Sequence, residues 1–236
     1  MTEIKPTVKA KIDKVFAQQK DYALELRKSD YRQRLAVLKR FETAFRAAHD
    51  KIHESAAADF GKPGAEVDLA EIMPVLTELK HVRKHLKEWM KPEPVKVTIS
   101  MLGTKSKIVK EPKGVTLVVS PWNYPFNLTF GPMIWAIAAG NTVVIKPSEM
   151  TPKMSKVIGQ IVKEAFRPEE VSLFEGEADV ASYLHRSDLT TPIVTFIEAA
   201  RIRIGRDLRG SCNHITGSVT GFVDGLTALP SNMSRL

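Results

Sequence analysis

Between residues 9 and 90 the apolar positions recur at the period of helices that bury one face. Ile12, Val15, Phe16, Gln19, Ala23 and Leu26 share one side of a helix predicted over residues 9–27. Ser29-Asp30 punctuates the chain and offers a cap to a second helix, residues 31–59, whose inner face carries Leu35, Leu38, Phe41, Ala44, Phe45, Ala48 and Ile52. Gly61-Lys62-Pro63-Gly64 stops it. A third helix over residues 67–90 carries Leu69, Ile72, Met73, Leu76, Leu79, Val82, Leu86 and Trp89, with Pro74 implying a kink or a later start. All three stripes read as core.

The period then changes. Pro92-Glu93-Pro94 is a stiff linker, and residues 95–102 and 105–111 alternate like two strands of a hairpin about Gly103-Thr104. From Gly114 to Ile145 no Asp, Glu, Lys or Arg occurs, in a chain that is 26% charged. Pro121, Pro125 and Pro132, with Asn123, Asn127 and Asn141, argue against a membrane span there. Val115–Val119 reads instead as a strand buried on both faces, residues 127–139 as a helix stopped by Gly140-Asn141, and residues 142–145 as the next strand. This is a βαβ unit, with its loops at the carboxyl ends of the strands, where open α/β sheets bind ligands. A helix over residues 151–166, capped by Ser148 or Thr151, a strand over 171–174 and a short helix over 176–184 continue the alternation. Residues 192–197 and 219–223 are further expected strands, with a helix over 198–209 between them, and residues 225–236 are an aperiodic tail.

Two motifs in this unit lie at a spacing that carries a resemblance. Ser120-Pro121-Trp122-Asn123-Tyr124-Pro125-Phe126, then Gly131-Pro132 and Ala136-Ile137-Ala138-Ala139-Gly140-Asn141, then Lys146-Pro147-Ser148-Glu149 together resemble the aldehyde dehydrogenase superfamily, nearest its shorter class-3 or fatty-aldehyde branch. The resemblance runs from about Tyr22 to Leu184. It implies an α/β fold: an N-terminal helical layer, a projecting β-hairpin that helps build an oligomerisation sheet, and an incomplete Rossmann-like doubly wound parallel sheet. The corresponding divisions are residues 1–92, 93–112 and 113–224, followed by the tail.

The resemblance also implies NAD- or NADP-dependent oxidation of an aldehyde, aliphatic or fatty, to a carboxylic acid. Asn123 matches the asparagine that stabilises the oxyanion, since its amide donates to developing negative charge without titrating. Lys146 and Glu149 match the adenosine-ribose contacts, Trp122 a wall of the cofactor cleft, and Ser120 a further cofactor-side position. Read without the resemblance, Asn123 is a turn residue between two prolines, Trp122 a core residue, and Lys146 with Glu149 a pair at a helix start. The absence of a GxGxxG fingerprint does not oppose a dinucleotide, because the resembled family does not use it.

A nucleophile is harder to find. Cys212, in Gly210-Ser211-Cys212-Asn213-His214, is the only cysteine, and it lacks the Gly-Gln-x-Cys setting of the family's catalytic thiol. His214, two residues on, does not face it on a regular element. The family's Leu-Glu-Leu-Gly-Gly-Lys motif, which carries the general base, is skipped between Val219 and Gly225, and its Phe-Thr-Gly-Ser turn is missing between Pro192 and Ile204. The expectation is therefore a truncated chain that does not turn over alone. The alternative is a non-catalytic partner of full-length relatives.

Composition changes this picture little. One cysteine excludes an internal disulfide framework, and the amino-terminal residues lack a signal-peptide core, so a cytoplasmic location is expected. The net charge of +8 would suit nucleic acid or an anionic surface, but acidic residues are interspersed almost throughout and no nucleic-acid motif occurs. The expected partners are an aldehyde substrate, a second copy of the chain or full-length relatives, with no nucleic acid and no transmembrane segment.

Overall fold

The computed structural model describes residues 4–96, 104–185 and 191–194. It opens with helix α1 (Pro6–Leu26). Helix α2 (Tyr31–Ala47) starts at a reciprocal cap, where Asp30 Oδ1 accepts from the Gln33 amide at 2.9 Å and Gln33 Oε1 accepts from the Asp30 amide at 2.8 Å. The predicted 31–59 helix is two helices. Ala48 (φ −88°, ψ 4°) breaks it, and α3 (His49–Phe60) restarts with no Gly or Pro to mark the point. Gly61, at φ 65°, ends α3 in the left-handed conformation expected of a stop signal.

The third predicted helix is also subdivided. It comprises α4 (Gly64–Val67), a π-helical turn (Asp68–Ile72) and α5 (Met73–Trp89). A π turn inserts one residue into the helical phase. Leu69 and Met73, expected in the core, are consequently 62% and 52% exposed, while the carboxylate of Glu71 is turned fully inside. Of the two alternatives at Pro74, a later start is what is found: α5 begins at Met73, directly after the π turn.

Strands β3 (Val115–Val119), β4 (Thr142–Lys146), β5 (Val171–Leu173) and β6 (Thr191–Val194) form a parallel sheet in the order β5-β4-β3-β6. Helix α6 (Pro125–Ala138) joins β3 to β4, α7 (Pro152–Ala165) joins β4 to β5, and α8 (Ala178–Leu184) follows β5. Alternation along the strands divides the core. Val115, Leu117 and Val144 pack with Ile12 and Phe16 of α1 and Val180 and Leu184 of α8. A second core joins α2 to α6 through Phe41, Phe45, Phe126 and Phe130, with the Phe41 and Phe130 rings 4.9 Å apart, and takes in Phe166 beyond α7.

The helical layer also supplies polar ties to the ends of these elements. Gln19 Nε2 donates to the Val143 carbonyl at 3.0 Å and to the Pro168 carbonyl at 3.1 Å. Arg34 Nη1 donates to the Ala138 carbonyl at the end of α6 at 2.9 Å. The Arg40 guanidinium donates to both oxygens of Glu170, at 2.7 and 2.8 Å. The Arg34 bond supplies a donor to a carbonyl of the last turn of α6, one of the groups a helix leaves without an internal partner.

The cap of α7 corrects a sequence expectation. Neither the Ser148 nor the Thr151 hydroxyl caps it; Thr151 Oγ1 is buried without a hydrogen-bond partner among the described residues. Asp59 of α3 instead accepts from the Met154 amide at 2.9 Å and the Lys153 amide at 3.3 Å. Replacing Asp59 with Ala is expected to cost about 1 kcal/mol, the usual worth of a helix cap, read as a lowered urea midpoint with unchanged slope.

A separate unit, residues 88–110, holds an antiparallel pair of β1 (Glu93–Val95) and β2 (Ser106–Ile108), with Glu93 opposite Ile108 and Val95 opposite Ser106. Pairing therefore includes the linker Glu93-Pro94, ahead of the predicted start at residue 95. Lys110 Nζ lies 2.7 Å from a Glu93 oxygen. The hairpin turn at Gly103, the expected helix 198–209, the strand 219–223, the end of the strand 192–197, the tail and Cys212 lie outside the described residues.

Candidate functional site

In a parallel sheet all strands end on the same edge, and β3 and β4 are direct neighbours. Val119 stands opposite Lys146, and the Ser120 amide donates to the Lys146 carbonyl at 3.1 Å. The loop carrying Trp122 and Asn123 and the loop carrying Lys146 to Glu149 therefore leave the sheet side by side. Among the residues expected to act, this brings Ser120 and Lys146 into direct backbone contact.

Lys146 is buried, with its ammonium paired to a Glu149 oxygen on the half-exposed side of the turn. This pair offers a cation and a carboxylate at a strand's carboxyl end. Ser120 is also buried, and its hydroxyl accepts from Thr129 Oγ1 at 2.7 Å, which ties the start of the loop to α6. Trp122 and Tyr124 are exposed, the Trp122 ring lying 6.0 Å from that of Phe60.

Asn123 is exposed, and its backbone carbonyl accepts from Lys62 Nζ at 2.7 Å. That tie leaves the side-chain amide uncommitted among the described residues. Lys62 also lies 3.4 Å from Glu71 Oε1 and sits over the Tyr124 ring, 4.4 Å from its centroid. The other oxygen of Glu71 accepts from the amides of Phe126 (3.1 Å) and Asn127 (3.0 Å), the first turn of α6. The loop thus hangs between a helix start and a lysine that share one buried carboxylate. Burial pushes the Glu71 carboxyl above the ordinary carboxylate range, while the two amides and Lys62 oppose that shift.

Lys62 and Glu71 were not foreseen. Lys62 stood in a helix-stopping tetrapeptide and Glu71 beside an apolar stripe, whose phase placed it outward. The only available signal was the acid in Ala70-Glu71-Ile72-Met73-Pro74, three residues ahead of a helix-breaking proline. A groove of about 720 Å³ lies elsewhere, lined by α2 and the π turn with α5, including Glu42, Arg46, Asp68, Lys80 and Arg83. None of the expected site residues lines it. Among the described residues, no helix is long and apolar enough to cross a membrane.

The family model described as the aldehyde dehydrogenase family matches residues 1–198. The 4,4'-diaponeurosporen-aldehyde dehydrogenase of Staphylococcus aureus is 42% identical over 139 residues, covering 59% of this chain and 30% of that protein. The solved substrate-bound AldH of Staphylococcus aureus superposes with a TM-score of 0.71 at 37% identity, covering 73% of this chain and 38% of the other. A succinic semialdehyde dehydrogenase from Streptococcus pyogenes, solved with NADP+, shares the fold with a TM-score of 0.69 at 18% identity, covering 82% of this chain and 42% of the other. The chain spans less than half the length of each of these proteins.

Proposed function

The chain belongs to the aldehyde dehydrogenase family, and from that premise we propose that its βαβ unit is the dinucleotide-binding part of an NAD- or NADP-dependent oxidoreductase acting on an aldehyde. The whole-protein reaction is the oxidation of an aldehyde and water to a carboxylic acid. The nicotinamide, when bound, accepts the hydride. A solved relative of the same fold contains NADP+, which supports a nicotinamide cofactor without choosing between its two forms.

The donor set fits such a group. Glu149 has the carboxylate to accept from ribose hydroxyls, and Lys146 the ammonium to donate to them or to a 2′-phosphate. Trp122 supplies an exposed ring for the wall of the cleft, and Ser120, fixed by Thr129, shapes its floor. The Asn123 side chain is assigned to the oxyanion, held in place because Lys62 grips its carbonyl. The observation that carries this reading is the 3.1 Å hydrogen bond between the Ser120 amide and the Lys146 carbonyl, which sets both loops on one edge.

Chemistry at the carbonyl also needs a thiolate and a base for deacylation. Cys212 and its surroundings do not supply the family's setting for either, so we assign to these 236 residues cofactor affinity without turnover, in the cytoplasm. The test is a thermal melt with NAD and with NADP. A ligand that binds only the folded state raises its melting temperature, and the rise is expected to vanish in Lys146→Ala/Glu149→Ala. Aldehyde-dependent NADH formation by the purified chain would overturn the assignment of no turnover, and its loss or survival in Cys212→Ser would show whether Cys212 is the nucleophile. Absence of any cofactor-induced rise would overturn the site.

A further inference from the structure

We propose that His49, His53 and Asp68 form a binding site for a divalent transition-metal ion, with zinc the ion that the donor set suits best. His49 and His53 stand four residues apart on α3, so both imidazoles leave the same face, with ring centroids 4.5 Å apart. Asp68 opens the π turn and brings a carboxylate to them. Its Oδ1 lies 2.8 Å from His53 Nε2 and 3.2 Å from His49 Nε2. One ligand atom from each residue falls within 4.8 Å of the others.

These separations are close to the edges of a coordination polyhedron. With bonds of about 2.0–2.2 Å to nitrogen and oxygen, tetrahedral ligand atoms stand roughly 3.3–3.6 Å apart, so seating an ion would take an outward shift of about 0.5 Å between Asp68 and His53 and would draw all three ligand atoms, now within 4.8 Å of one another, to that spacing. Two imidazoles and one carboxylate are the ligand types that zinc accepts, with solvent completing the shell.

The surroundings orient the ligands. Asp50 Oδ1 lies 3.2 Å from His49 Nδ1, so that with an ion on Nε2 the proton on Nδ1 would have an acceptor. Gly64 lies against the His53 ring, and a β-carbon at that position would come within 3.0 Å of Nδ1. The His53 ring is thereby confined on the side away from Asp68. Among the described residues these are the only three such groups placed to share an ion.

Purified full chain, freed of any affinity tag, should take up one Zn2+ by calorimetric titration, and Co2+ should give a visible absorption band. Because the ion binds the folded state, Zn2+ should also raise the melting temperature. His49→Gln and Asp68→Asn alter partly exposed groups and should each weaken uptake at least tenfold. Cys212→Ser and His85→Gln should leave it unchanged. Failure of the folded wild type to bind Zn2+ would overturn the proposal. So would full affinity in His49→Gln and Asp68→Asn, or loss of uptake in Cys212→Ser or His85→Gln.

Discussion

Glu71→Ala is expected to lower stability by about 2–4 kcal/mol and to abolish the cofactor-induced rise in melting temperature. The substitution leaves the Phe126 and Asn127 amides without an acceptor inside the protein and Lys62 without its buried acid. An unpaired buried donor costs about 1–3 kcal/mol, and breaking a buried ion pair about 3–5 kcal/mol. Lys62 retains some access to solvent, which places the sum in the lower part of that span. Chemical denaturation measures the first effect and the cofactor melt the second. Glu71→Gln, whose single carbonyl oxygen keeps an acceptor at the helix start, should cost less.

The same carboxyl gives a sign for pH. Its pKa in the folded chain stands above the ordinary value because of burial, so the folded state holds the proton more tightly than the unfolded one. The pH-dependent part of this group's contribution to stability is complete below the ordinary carboxylate value and is lost as pH rises through the raised one, while its hydrogen bonds to the Phe126 and Asn127 amides persist. Denaturation midpoints measured over that interval should show this decline in the wild type and a flatter profile in Glu71→Gln.

Gly140→Ala is expected to cost about 3 kcal/mol. Gly140 has φ 89°, where a side chain is strained by about 1–3 kcal/mol, and a β-carbon there would lie 2.6 Å from the Arg34 guanidinium. Relief requires Arg34 to leave, which forfeits its hydrogen bond to the Ala138 carbonyl. The two sites should therefore be coupled. In a double-mutant cycle Arg34→Ala/Gly140→Ala should cost less than the sum of its single changes, because the collision and the lost bond are then counted once. Additive costs would show that Arg34 moves aside freely.

Legibility in the sequence followed the range of the signal. The βαβ unit was readable because its cues are local: the β-branched run Val115–Val119, the Gly140-Asn141 stop and the Lys146-Pro147 exit each specify their own conformation. Asp30 was readable as a cap for the same reason. What remained hidden involved partners far apart in the chain. Asp59 caps a helix that begins more than ninety residues later, at Pro152, and no local motif could reveal it. Glu71 was hidden because one inserted residue in a π turn rotated it inward and Leu69 and Met73 outward. A stripe read at constant period cannot register such a change of phase. The expected site residues Ser120 and Lys146 meet as neighbours, while the lysine that fixes Asn123 came from a tetrapeptide read only as a stop.

The polar ties between the helical layer and the sheet carry a consequence for biosynthesis. Gln19, Arg34, Asp59 and Glu71 are translated before the groups they bond in the α/β part of the chain, and the separations reach 124 residues for Gln19 with Val143 and 149 for Gln19 with Pro168. A nascent polypeptide must leave the ribosome past Pro168 before its first helix can close those bonds. Until then its amphipathic faces lack their natural cover, which makes the growing chain a customer for chaperones and gives assembly the slow character of a long-range topology.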